Sequence, residues 1–218
     1  MNYLLFILLP LFSLNAFAKN PELSKFVPKG YVIAEQQYGD LNNDGTKDCV
    51  MIIKGTDKRK IIVDEYQGKL DRNRRGIIIL FNQKGTYTLA SKNYDCFSSE
   101  NEDGGVYFAP ELSIEMKKTQ LIIHYGHGRY GTWDFIFKYI QNDFALIGYE
   151  QSESNGPVIV RETSINFLTK KKIVRENINV DNGEGKEKFR TNNSSITVKR
   201  LMTLSEIKDF DELDMTTY

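Results

Sequence analysis

Residues 40–48 read D-L-N-N-D-G-T-K-D, and the chain holds no second copy of this acidic stretch. Asp40, Asn42 and Asp44 stand at positions 1, 3 and 5, Gly45 at 6, Thr46 at 7 and Asp48 at 9. Side-chain oxygens alternating at that spacing converge on a hard cation, a glycine permits the sharp turn, and the carbonyl of residue 7 adds a ligand. The three carboxylates repel one another without a counter-charge, and Lys47 is the only local one. The chemistry expected here is calcium binding that fixes a loop, since no acid–base group stands beside it. The competing expectation is an Asx-rich turn, because Asp, Asn and Gly favour turns without any ion.

An EF-hand is excluded. That loop needs a bidentate Glu at position 12, and Met51 stands there. The flanks YVIAEQQYG and CVMIIKG also read as strands, so the expected unit is strand–loop–strand with Asp48 as the closing carboxylate.

Both histidines fall in residues 124–131, HYGHGRYG. An H-x-x-H pair lacks the third and fourth ligands that zinc requires, and strand alternation puts His124 and His127 on opposite faces. The three glycines predict a hairpin turn between LIIHY and TWDFIFKYI. His127, Arg129, Tyr130 and Trp133 form a candidate binding patch on it, because aromatic and Arg side chains anchor recognition surfaces. A hydrolase would use this turn together with nearby acids. Residues 98–105 (SSENEDGG) carry Glu100, Glu102 and Asp103 and read as a solvated acidic turn, with a second cation site as the alternative. Lys170–Lys172 with Arg175 read as solvated or as blunting a sheet edge. There is no nucleophile elbow, phosphate loop or dinucleotide fingerprint. No catalytic residue is assigned.

The elements that must carry these groups are mainly β. Tyr31–Tyr38, Cys49–Ile53, Lys60–Val63, Gly76–Phe81, Thr86–Ala90, Leu112–Met116, Leu121–Tyr125, Trp133–Ile140, Phe144–Tyr149, Val158–Phe167 and Ile173–Val180 are short runs rich in β-branched and aromatic residues, punctuated by Gly, Asn and Asp. Residues 82–85 (NQKG) and 141–143 (QND) predict tight hairpins. Pro21–Phe26 predicts one helical turn ended by Pro28, and Ser205–Phe210 a short helix capped by Ser205. Residues 54–75 hold eight Lys or Arg against four acids around a strand. Residues 180–195 (VDNGEGKEKFRTNNSS) read as a mobile loop. The fold class is mainly β: an antiparallel meander or propeller-blade-like sheet with a calcium-binding hairpin loop.

The chain has 218 residues, 29 basic and 29 acidic side chains, and zero formal net charge. That balance argues against a nucleic-acid partner, which calls for a basic excess. Residues 1–18 have no charged side chain, a short apolar core and a small-x-small end at Ala16-Phe17-Ala18. They predict a signal peptide cleaved after Ala18, with an uncleaved anchor as the alternative. Residues 19–218 are then a single β-rich domain, expected to be an exported monomer with no membrane contact, in the bacterial periplasm or outside the cell. In an oxidising compartment Cys49 and Cys96 are expected to bridge, closing a loop of about 46 residues for about 3–4 kcal/mol. Two buried or free thiols are the alternative.

Residues 40–53 (DLNNDGTKDCVMII) followed by 76–90 (GIIILFNQKGTYTLA) resemble one FG-GAP/VCBS-type repeat. In such repeats a D-x-[DN]-x-D-G-x-x-D loop joins two strands, and a later hairpin has the form ILFN-x-x-G-x-Y/F. These repeats build calcium-binding blades of β-propellers, as in integrin α-subunit heads and many secreted bacterial proteins. The similarity covers residues 31–91, in a single copy. Residues 26–31 (FVPKGY) and the 131–168 segment also resemble a group of exported bacterial proteins with a single such loop. The resemblance implies Asp40, Asn42, Asp44 and Asp48 as side-chain ligands and Thr46 as a carbonyl ligand. The function expected is an exported, calcium-stabilised module binding a protein or carbohydrate. A secreted hydrolase and a periplasmic inhibitor or immunity-type protein, docking through residues 54–75 or 180–195, are the alternatives.

Overall fold

A computed structural model describes residues 21–101 and 110–218. The signal peptide expected over 1–18 and the Glu102 and Asp103 part of the acidic turn lie outside the described residues. A helical turn, α1 (Pro21–Ser24), is followed by strands β1 (Tyr31–Gly39), β2 (Asp48–Gly55), β3 (Ile61–Asp64), β4 (Gly68–Asp71), β5 (Arg75–Gln83) and β6 (Thr86–Phe97). Then come β7 (Glu111–Lys117), β8 (Gln120–His127), β9 (Gly131–Ile140), β10 (Asp143–Asn155), β11 (Val158–Asn166), β12 (Lys171–Asn177) and β13 (Phe189–Ser195). All strand pairs are antiparallel. They form a four-stranded sheet, β1-β2-β5-β6, and a seven-stranded meander in which β7 to β13 neighbour one another in chain order. Hairpin β3–β4, inserted between β2 and β5, is a separate two-stranded sheet. The fold is thus mainly β, antiparallel and meander-like, with no closed barrel.

The apolar runs CVMII and GIIILF follow from the position of β2 and β5, whose residues 48–53 and 75–81 are all buried. An alternating strand covers one face; these two are covered on both. On one side Val50, Ile52, Ile77, Ile79 and Phe81 share a core with Leu121, Ile123, Tyr125, Phe135 and Phe137 of the meander. On the other, Cys49, Met51, Ile53, Ile78 and Leu80 pack with Leu23, Phe26 and Val27 around the helical turn. Beyond β13 the chain returns as a strap. Leu204, Ile207, Phe210 and Met215 enter the main core, and the Phe210 ring lies 5.0 Å from both Phe97 and Phe135. Asn93 Nδ2 donates to the carbonyls of Leu204 (2.8 Å) and Ile207 (2.6 Å), so the strap ties the small sheet to the meander.

The expected hairpins form where predicted. Gln141 and Asn142 both take positive φ (52° and 71°) between β9 and β10, as a type I′ turn requires. Three expectations are corrected. Residues 189–195 are not loop: FRTNNSS is strand β13, exposed at the edge of the meander and made by its ladder to β12. With six of its seven residues exposed, it had no apolar alternation to betray it. The C-terminal turn is a short 3-10 helix at Leu204–Glu206, capped at Thr203, whose N–H donates to the Glu206 carboxylate at 2.9 Å; Ser205 is not its cap.

The expected disulfide does not form, and Cys49 and Cys96 are both free and buried. Cys49 pairs with Leu80 and Leu80 with Leu89, while Cys96 lies seven residues further along β6, roughly 20 Å away. The two thiols also face opposite sides of the sheet, in different cores. A bridge requires Cα atoms within about 7 Å. Burial pushes the Cys49 thiol up to about 11 and raises that of Cys96 as well, which makes both poor nucleophiles. A thiol reagent should therefore titrate two cysteines per chain in denaturant and almost none in the native protein. Reductant should leave the melting temperature unchanged. A reductant-dependent melting temperature would contradict the placement of the two strands.

Candidate functional site

The acidic loop joins β1 to β2 and is organised by its own side chains. The Asp40 carboxylate accepts the backbone N–H of Asp44 (3.2 Å) and of Gly45 (2.9 Å). Asn42 Oδ1 accepts the Asp44 N–H (3.0 Å), its amide nitrogen donates to Asp44 Oδ2 (2.9 Å), and Asp44 Oδ1 accepts the Thr46 N–H (2.7 Å). That last amide, with the Asn42 amide, holds the Asp44 carboxyl below the usual range. Gly45 has φ 83°, the left-handed turn its position in the motif demands.

Asp48 plays a different part. It is fully buried at the start of β2. Its Oδ2 accepts the Leu41 N–H (2.8 Å), and its Oδ1 accepts the Asn82 N–H (3.0 Å). Asn82 closes the circuit: its amide nitrogen donates to the Lys47 carbonyl (3.2 Å) and its Oδ1 accepts the Gly85 N–H (2.8 Å). One carboxylate thus pins both ends of the loop to the β5–β6 hairpin. Burial raises the Asp48 pKa against the pull of these two amides, and the charges of Asp44 and Asp40 add to the rise. Among the described residues no three His, Cys, Asp or Glu side chains gather at metal-binding separation; Asp48 is turned to the scaffold. The oxygens of Asp40, Asn42 and Asp44 with the Thr46 carbonyl are donors of the type a hard cation takes. Asn82 is the partner that sequence spacing did not reveal, since its role depends on a contact 34 residues away.

A second polar array crosses the solvent face of the meander. His124, Asp134, Glu150 and Ser164 stand opposite one another on β8 to β11. Two residues along run Thr132, Ser152, Glu162 and Arg175 on β9 to β12. His124 Nδ1 meets Asp134 Oδ1 at 2.5 Å, Ser164 Oγ donates to Glu150 Oε1 at 2.8 Å, and Arg175 Nη1 donates to Glu162 Oε2 at 2.5 Å. All of these but His124 line an open groove of about 360 Å³. Burial raises the Glu150 pKa against the opposing Ser164 hydrogen bond, and the Asp134 and Glu162 carboxylates raise it further.

The structure divides the expected His–Trp patch. His127 and Tyr130 are neighbours at the hairpin tip, with ring centroids 4.9 Å apart, and Arg129 is exposed beside them. Trp133 does not join them: it stacks on Tyr125 (5.6 Å, 11°) against the core. His124 and His127 do lie on opposite faces, and His124 faces the groove side. Apart from Arg175, the groove residues escaped sequence reasoning because only the register of four strands brings them into line.

Set against known protein families, curated proteins and solved structures, the chain matches none.

Two variants test this geometry. Asp48→Ala leaves the Leu41 and Asn82 amides unpaired beneath the loop and should cost about 2–5 kcal/mol in chemical denaturation. Asp40→Ala, with partners exposed to water, should cost about 1 kcal/mol or less; equal losses would refute the clamp. Because the folded-state pKa of Glu150 is raised, its contribution to stability is fully present below its unfolded value of about 4.3 and is lost as pH rises through the folded value. Glu150→Gln should therefore raise the melting temperature at neutral pH and lose that advantage below about pH 4.

Proposed function

We propose that the chain is an exported, calcium-stabilised β module that binds a protein or carbohydrate partner, and that it is not an enzyme. The observation that carries the reading is the Asp48 clamp. A loop of calcium-type spacing is fastened at both ends to two rigid strands, with Asp40, Asn42, Asp44 and the Thr46 carbonyl left at its rim. A bound calcium would supply the positive charge that Asp40, Asp44 and Asp48 lack. The resemblance of residues 31–91 to an FG-GAP/VCBS-type repeat supports the same reading, and the uncharged leader over 1–18 supports export to the bacterial periplasm or exterior.

The hydrolase alternative has one observation in its favour. Asp134 meets His124, and Ser113 of β7 stands opposite His124 in register. Ser113 makes no hydrogen bond to His124 among the described residues. The backbone amides of β8 are committed to ladders with β7 and β9, which provides no donor pair for an oxyanion. The binding reading is therefore the stronger one.

Thermal unfolding of the mature chain in calcium and in chelator tests it. Calcium at about 10–100 times Kd stabilises by roughly 1.4–2.7 kcal/mol, a rise of a few degrees. Asp44→Ala should abolish that rise, so that the variant melts at the same temperature in calcium and in chelator. A wild-type chain that melts identically in calcium and chelator would remove the calcium reading.

A further inference from the structure

Hairpin β3–β4 leaves the small sheet between β2 and β5 and carries the two most exposed large apolar side chains among the described residues, Tyr66 (90% exposed) and Val63 (84%). The hairpin is held firmly at its base. Buried Asn73 accepts the Asp57 N–H (2.9 Å) and donates to the Asp57 carbonyl (3.1 Å) and to Asp71 Oδ1 (2.7 Å). The Arg72 N–H donates to the Lys60 carbonyl (2.9 Å), the Asp71 N–H to Asn101 Oδ1 (3.0 Å), and Lys54 pairs with Asp71 (3.0 Å). Leu70 roots the hairpin by burial. The tip is equally ordered: Asp64 Oδ1 accepts the N–H groups of Tyr66 (2.8 Å) and Gln67 (2.9 Å), and Gly68 takes the left-handed φ of 76°. The turn already holds the backbone that carries Tyr66, so docking it orders little further chain, and tyrosine is a frequent anchor of protein interfaces.

Charge identifies the partner. Arg59 is neutralised by Asp57 and Lys54 by Asp71. Exposed Lys58, Lys60 and Lys69 have no ion pair among the described residues, and Lys69 stands opposite Val63 in the ladder. Glu65 is the one exposed acid of the tip, since Asp64 caps the turn. Lys58 and Lys60 lie at the base and Lys69 one ladder pair below the turn, while Asp64 and Glu65 immediately precede Tyr66. An anionic membrane approached tip-first would meet those acids before the lysines, so the arrangement favours a protein surface with its charges placed individually.

We propose that the β3–β4 hairpin docks a second protein, which takes Tyr66 into an apolar pocket and presents carboxylates along the flank of the hairpin to Lys69 and, nearer its base, to Lys58 and Lys60. This rests on the binding-module reading but not on calcium, so an absent calcium shift in melting leaves its test intact.

The test places the photo-crosslinker p-benzoylphenylalanine at position 66 of the full chain, expressed in its native host, with the same group at exposed Leu168 as the control. One discrete adduct should form from position 66 and none of that mass from position 168. Lys58→Glu, Lys60→Glu and Lys69→Glu together should cut its yield roughly tenfold or more while leaving the melting temperature unchanged. Should the triple variant melt lower, Lys69→Glu alone is read against the same adduct and should still reduce it. The proposal is overturned if no adduct is specific to position 66, or if its yield ignores charge reversal. It is also overturned if the purified chain sediments with phosphatidylglycerol–phosphatidylcholine vesicles and Tyr66→Ala abolishes that sedimentation, which would put a membrane in the partner's place.

Discussion

Strands β2 and β5 are buried on both faces, and the remaining structure is arranged to keep them so. Each presents one row of side chains to the meander and another to the N-terminal turn. At roughly 25 cal/mol per Å² of apolar surface removed from water, a pair of strands covered twice is the largest single source of stability in such a sheet. It also permits a buried charge. Asp48 begins β2 inside this dry layer, where an unsatisfied carboxylate would be costly. Its two backbone amides offset that cost and fasten the acidic loop to the β5–β6 hairpin. The loop's rigidity is thus a by-product of the core.

The meander contributes a different kind of surface. Its central strands turn apolar residues inward, and the outer face carries cross-strand pairs: His124 with Asp134, Ser164 with Glu150, Arg175 with Glu162. Such pairs contribute a few tenths of a kcal/mol each when exposed. Their density across five strands gives the face a defined polar relief. The small sheet instead projects hairpin β3–β4, whose Tyr66 and Val63 are far more exposed than Ile173, the apolar side chain in the meander's groove. One scaffold therefore displays an ion-type loop, a polar groove and a projecting hairpin.

How far the sequence reveals this depends on whether the signal is local. CVMII and GIIILF announce doubly buried strands, QND announces a type I′ turn, and D-x-N-x-D-G places Gly45 at positive φ, because each needs only adjacent residues. Strand β13 was illegible because an exposed edge strand requires no apolar period. The disulfide expectation failed because export and an even cysteine count say nothing about which face of a sheet each thiol occupies. Trp133 looked like surface because it adjoins a glycine-rich turn, yet alternation along β9 carries it inward onto Tyr125. Asn82 and the Glu150 row could not be foreseen, since one depends on a contact 34 residues away and the other on the register of four successive strands.

The strap after β13 has a consequence for how the chain assembles. In the meander each strand pairs with its neighbour in sequence, so most contacts there close short loops, and local pairing of this kind favours rapid formation. The bonds from Asn93 to Leu204 and Ile207 span 111 and 114 residues. They close far longer loops than any hairpin of the meander does. Phe210 then seals a core that would otherwise stay open to water beside Phe97 and Phe135. Residues 204–215 thus act as a latch laid across two sheets that already share a core.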